Sequence, residues 1–171
     1  GFRREYLGLW ERDDEGLCFE MKPSMYLDRF DPNWHDDFVY ILGVDLGTKD
    51  PCAFTTLAHS RKGGVTYVVE SYRKGDLAPT EAGEEIDRLR AQWKYDHIVV
   101  DSGGQGASFI KQWQKSMPWL PAEPVEKGKD SVDMGVSLIN ADIRCGKIMF
   151  VRPNTQHLVE EMGALSWDEA K

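Results

Sequence analysis

A chain of 171 residues that is 41% hydrophobic and 29% charged has the balance of one globular domain with a core of its own. No stretch approaches the roughly 20 apolar residues that cross a bilayer, and residues 1–5 (Gly-Phe-Arg-Arg-Glu) lack the apolar core of a secretory signal, so no membrane partner is expected and a cytoplasmic compartment is. The formal net charge of −8 excludes a protein that holds nucleic acid by bulk attraction, because phosphate contacts come from Lys and Arg.

In chain order, residues 1–37 read as an arm. Leu7-Gly8-Leu9-Trp10 and Gly16-Leu17-Cys18-Phe19 are short apolar pieces between charges, suited to packing on a neighbouring domain or to an ordinary N-terminal extension. The globular pattern of 38–171 begins with Phe38-Val39-Tyr40-Ile41-Leu42-Gly43-Val44-Asp45, a near-continuous apolar run of the kind buried on both faces of a sheet. Strands follow over 53–58 and 65–69, joined by a turn at Arg61-Lys62-Gly63-Gly64. Pro79-Thr80 opens a helix with Thr80 as its N-cap and Ile86, Leu89 and Trp93 as its apolar stripe. The run His97-Ile98-Val99-Val100-Asp101 is a strand. Next come a helix around Phe109, Ile110 and Trp113, a strand at 122–125, and a helix carrying Val132, Val136, Ile139 and Ile143. A strand at 148–151 and a helix marked by Leu158, Met162 and Leu165 complete the series. The order β-β-β-α-β-α-β-α-β-α predicts an α/β fold: a mixed central sheet, three antiparallel strands then parallel ones, with helices on both faces.

Cys18, Cys52 and Cys145 are odd in number and far apart, which argues against a disulfide framework or a structural zinc site and for reduced core thiols. His59, His97 and His157 have no ligand spacing, and Trp93, Trp113 and Trp119 read as packing residues.

Chemistry concentrates where apolar strands end in acid. Asp45 closes Ile41-Leu42-Gly43-Val44 and Asp101 closes Ile98-Val99-Val100, and glycine-rich chain follows each: Leu46-Gly47-Thr48 and Ser102-Gly103-Gly104-Gln105-Gly106. A carboxylate at the end of a buried strand needs solvent, a partner or a cation. If the two strands are neighbours, the carboxylates repel and a divalent ion between them is the natural neutraliser. Hard oxygen ligands favour magnesium or manganese over zinc, and two such ions suit phosphodiester hydrolysis. The acidic balance is compatible with that reaction, since cations rather than lysines meet the phosphate. The bland alternative is that each aspartate caps the turn after it. Glu70, at the end of the third strand, and Asp50, in the loop after the first, are further acids near this edge. Thr48 and Lys49 could orient phosphate or water there, and Lys127 and Lys129 could contact a DNA phosphate.

The series Val44-Asp45-Leu46-Gly47-Thr48, Val99-Val100-Asp101-Ser102-Gly103-Gly104-Gln105-Gly106 and Val125-Glu126-Lys127-Gly128-Lys129-Asp130 resembles the nuclease domain of tailed-phage large terminase subunits, within the RNase H-like, resolvase-like superfamily. The opening Arg3-Arg4-Glu5-Tyr6-Leu7-Gly8-Leu9-Trp10 resembles the segment that leaves that family's ATPase motor. No G-x-x-x-x-G-K-[ST] occurs here, so 1–37 would be the linker after an ATPase domain absent from this sequence. The resemblance implies an RNase H-like fold, Asp45 and Asp101 as catalytic metal ligands for two magnesium or manganese ions, and endonucleolytic cleavage of concatemeric double-stranded DNA. It also implies the motor domain, a portal ring and a small terminase subunit as partners, in a host-cell cytoplasm. A third carboxylate is expected beyond residue 171, with Asp168 the candidate within the sequence. Two other readings share the motifs: an actin- or sugar-kinase-like ATPase fragment, whose phosphate loops also read Asp-x-Gly-Thr, and an inactive docking module of the packaging machine.

Overall fold

The computed structural model describes residues 16–34, 37–47 and 50–167. Seven strands and four helices are ordered as β1 (Tyr26–Leu27), β2 (Phe38–Asp45), β3 (Cys52–Ser60), β4 (Thr66–Lys74), α1 (Pro79–Trp93), β5 (His97–Asp101), α2 (Gly106–Ser116), β6 (Ala122–Val125), α3 (Ser131–Arg144), β7 (Ile148–Val151) and α4 (Arg152–Ala164). They form one mixed sheet in the order β1-β7-β4-β3-β2-β5-β6. β2, β3 and β4 are the antiparallel meander, and β5, β6, β7 and β1 join it in parallel pairings.

Strand alternation divides the core in two. Leu42, Val44, Phe54, Ile98 and Val100 point to one face and pack under α1 and α2, against Ala82, Ile86, Leu89, Phe109, Ile110 and Trp113. Val68, Ile148 and Phe150, with Leu57 at their side, point to the other face, where Ile143 of α3 and Met162 of α4 cover them. Both faces therefore carry helices, as the element order predicts. Helices α3 and α4 lie toward the β4–β7–β1 half; in front of β2 and β5 that second face stays open.

α1 begins two residues earlier than an N-cap at Thr80 would place it. Ala78 is the N-cap and Pro79 the first helical residue. Thr80 does no capping; the Glu81 carboxylate instead accepts the Ala78 N–H at 2.7 Å, and Pro79 has no N–H to satisfy. On the buried side of α1, Glu85 is 6% exposed yet fully partnered. Tyr72 Oη donates to it at 2.5 Å, Lys74 Nζ at 3.0 Å and the Arg88 guanidinium at 2.7 Å. In α3 the apolar stripe is narrower than expected: Val136 and Ile143 are buried while Val132 is 51% exposed, and the buried position between them is Asn140.

That asparagine explains the behaviour of the N-terminal stretch. Its Oδ1 accepts the Glu20 N–H at 2.9 Å and its Nδ2 donates to the Cys18 carbonyl at 2.8 Å. Cys18 and Met25 are buried, and Tyr26 and Leu27 pair with Phe150 and Val151. Phe30 then packs edge-on against Trp34 and Phe38, with ring centroids 5.3 and 5.1 Å apart. Residues 16–34 thus extend the sheet and core that 38–167 build. Residues 1–15, including Leu7-Gly8-Leu9-Trp10, lie outside the described residues. Cys18 and Cys52 are buried in the core as expected, but Cys145 is exposed at the C-cap of α3. Trp113 is core, and Trp119 is exposed, its indole N–H bonded to Asp87. No helix among the described residues is long and apolar enough to cross a membrane.

Candidate metal centre

β2 and β5 are parallel neighbours, with Val44 opposite Val100. The next residues, Asp45 and Asp101, leave the sheet side by side at its C-terminal edge. Both share the face of Gly43 and Val99, the face left open by α3 and α4. Together they line a cleft of about 300 Å³ whose other walls are Ala53, Thr55, Val125 and Lys127. The floor is low because the cross-strand residues are small: Gly43 stands opposite Thr55, and Asp45 opposite Ala53.

Local chain geometry holds each aspartate in place. The Gly103 N–H donates to Asp101 Oδ1 at 2.9 Å, an Asx-type turn. α2 starts against the strand end itself: a Cβ on Gly106 would fall 2.0 Å from the Asp101 carbonyl oxygen, so only glycine fits. After Asp45, a Cβ on Gly47 would fall 2.0 Å from the Asp50 carbonyl, which folds the loop tightly over that strand end.

Lys127 reaches the same spot from β6. Asp101 pairs with Val125, and the Ser102 N–H and hydroxyl both donate to the Val125 carbonyl, at 3.0 and 3.1 Å. Two residues on, Lys127 Nζ lies 2.5 Å from Asp101 Oδ2. That ammonium, with the Gly103 amide, holds the Asp101 carboxyl below the usual carboxylate range, and Asp101 together with Asp45 pushes the Lys127 pKa up. Only 17% of the Asp101 side chain is exposed, whereas Asp45 is open to solvent.

The other acids and lysines read from the sequence fall differently. Glu70 pairs with Thr56, whose side chain points to the α1–α2 face. It therefore looks away from Asp45: the third strand runs past Glu70 to Lys74, and the bulge opposite Thr56 and Leu57, where Val69 drops out of the register, turns Glu70 to the α1–α2 face. Asp50 is exposed on the loop after β2 and is not among the cleft residues, and Lys129 is exposed beyond Lys127. Thr48, Lys49 and Asp168 lie outside the described residues. Among the described residues no group of three or more His, Cys, Asp or Glu is placed to hold a metal ion; two carboxylates, Asp45 and Asp101, line the cleft. Their chemistry fits a hard divalent cation, and the cleft already draws in one positive charge, the Lys127 ammonium. Sequence reasoning had Lys127 as a phosphate contact but missed its bond to Asp101, since the β5–β6 register that creates it is a long-range property. The small floor residues Gly43 and Thr55 were also missed; a lone glycine inside the apolar run of β2 was their signal.

No family model matches the chain. Over 131 residues it is 26% identical to the large terminase subunit of Escherichia phage T5, covering 77% of this chain and 28% of that protein's length. The nuclease domain of the P22 large terminase superposes with a TM-score of 0.69 at 18% identity, over 91% of this chain and 82% of that one. The large terminase nuclease domain of bacteriophage SPP1, solved with bound manganese, gives 0.61 at 18% identity over 78% and 71%. In architecture, then, this chain has the RNase H-like fold of the phage large terminase nuclease domains.

Proposed function

We propose that this chain is the endonuclease part of a viral DNA-packaging terminase, cutting concatemeric double-stranded DNA with the help of divalent metal. The observation that carries the proposal is the pair Asp45 and Asp101, brought side by side by a parallel register into one cleft. Asp45, exposed, and Asp101, anchored by Gly103, would hold magnesium or manganese; a third carboxylate would come from outside the described residues, with Asp168 the candidate in this sequence. Two such ions, when bound, supply activation of the attacking water and stabilisation of the leaving 3′ oxygen. The chain's own part is positional. The β2–β5 ladder fixes the spacing of the acids, and the small side chains of Gly43, Ala53 and Thr55 leave room for a phosphate to approach the sheet.

No helix rich in Arg, Asn and Gln presents base-reading groups, and the net charge of −8 opposes tight independent binding of DNA. Cleavage with little base specificity follows, with targeting supplied by the partners that the resemblance implies: an ATPase motor, a portal ring and a small terminase subunit. The chain spans 28% of the T5 relative's length, so those partners belong to the proposal. Incubation of supercoiled plasmid with manganese tests it: nicking or linearisation that vanishes in Asp45→Ala and Asp101→Ala is expected. Intact plasmid, when manganese is bound at the site, would leave a docking role in the packaging machine.

A further inference from the structure

We infer that Lys127 is the resident counter-cation of the cleft: its ammonium holds the position beside Asp101 that a divalent ion would take, and metal enters by displacing it. The inference rests on the metal-centre reading above and concerns how that centre fills.

The geometry of Asp101 leaves little choice. Oδ1 faces the Gly103 amide at 2.9 Å, so the carboxylate is free to engage a cation through Oδ2, and Lys127 Nζ already sits 2.5 Å from that atom. Among the described residues Lys127 is also the sole basic residue lining the cleft. A divalent ion on Oδ2 would meet the ammonium at contact distance, where two positive charges repel. One of them must leave, and the lysine can. Its side chain is 59% exposed, on a four-carbon stem of low conformational cost to move. Its backbone stays fixed meanwhile, because Ser102 clamps Val125 and residues 126–130 leave β6 from that point.

Lys127 therefore does two opposed things. Without metal it relieves the repulsion between Asp45 and Asp101; toward metal it is a competitor that lowers affinity. A residue that only contacted DNA phosphate would do neither.

Calorimetric titration of manganese into the whole chain, without DNA, separates these roles. Lys127→Met should bind manganese roughly three- to tenfold more tightly than the wild type, the range spanned by a partly exposed ion pair. Lys127→Arg, which keeps the charge, should stay near the wild type, and Lys127→Gln should follow Lys127→Met if the methionine variant folds poorly. Equal or weaker affinity in both neutral variants, with binding still lost in Asp101→Asn, overturns the inference and leaves the metal centre standing. Manganese heat from the neutral variants alone supports it, because the lysine then blocks the site. Absence of heat from every protein overturns the inference and the metal-centre reading together.

Discussion

Val44 stands directly across from Val100 in the parallel pairing of β2 with β5, and an aspartate follows each. A parallel ladder carries both strands in one direction, so the next step delivers both carboxylates to one edge and, by strand alternation, to one face. A register shifted by one residue would send one of them to the α1–α2 core instead. The position of two charges thus depends on apolar residues that never touch them.

Removing either acid should remove the chemistry without removing the fold. Asp45→Ala and Asp101→Ala are expected to lower manganese-dependent plasmid cleavage by at least about 100-fold, the scale of losing a metal ligand worth several kcal/mol. Circular dichroism and thermal melting should stay close to the wild type, because neither side chain packs in the core. Cleavage that survives in both variants would rule out this cleft as the site.

Gly106 offers a test that leaves every acid in place. In Gly106→Ala the new methyl group meets the Asp101 carbonyl at 2.0 Å, and backbone cannot yield as a side-chain tip does. The start of α2 must move from β5, costing about 1–3 kcal/mol in urea unfolding and weakening manganese binding as Asp101 shifts. Gly104→Ala, one turn away and with nothing within 4 Å of its Cβ but a positive φ of 54°, should cost stability while sparing that carbonyl contact.

Glu85 governs the acid limb of stability. Hydrogen bonds from Arg88, Tyr72 and Lys74 bring its pKa from 4.5 down to about 2 against the opposing effect of burial. A carboxylate with a depressed folded-state pKa contributes fully above its unfolded value and loses that contribution as pH falls toward the folded one. Unfolding free energy measured between pH 5 and pH 2 should therefore drop by up to about 3 kcal/mol from this residue. In Glu85→Gln the drop should flatten, and stability at pH 7 should fall by about 1–3 kcal/mol. An acid limb unchanged by the substitution would assign it to other carboxylates.

Asn140 is the buried polar anchor of the N-terminal strap, beside the exposed Arg144–Glu20 ion pair. Asn140→Ala leaves the Cys18 carbonyl and the Glu20 amide without their partners, at a cost of about 1–3 kcal/mol. Limited proteolysis should then cut within residues 16–34 faster than in the wild type, while the plasmid assay is unaffected. Unchanged protection would mean that β1 and the aromatic packing of Phe30 suffice.

Much of this was legible in the residues. From residue 38 on, the apolar run 38–45, the alternation that follows and the helical spacings give element types and order correctly, because burial imposes those periods locally; the two-residue edge strand Tyr26–Leu27 is too short to show a period. Asp45 and Asp101 stood out for the same reason: acid at the end of an apolar strand is conspicuous. What stayed hidden depends on pairing. Glu70 looked like a strand end because β4 turns polar there, yet β4 runs on to Lys74 along β3, and a bulge at Val69, a property of the β3–β4 pairing, turns Glu70 to the opposite face. Val132 matched a helical stripe but faces solvent, while polar Asn140 is buried because its partners lie 120 residues away in sequence.

The same strap sets how the domain carries load. The Cys18 amide bonds to the Leu165 carbonyl and the Trp167 amide to the Gly16 carbonyl, so the chain enters and leaves at one place through a two-bond antiparallel bridge. Tension applied between residues 16 and 167 meets that bridge in unzipping geometry, one bond at a time. A pull on the two ends of this segment is met by hydrogen bonds that belong to neither β2 nor β5, the strands that space the two aspartates.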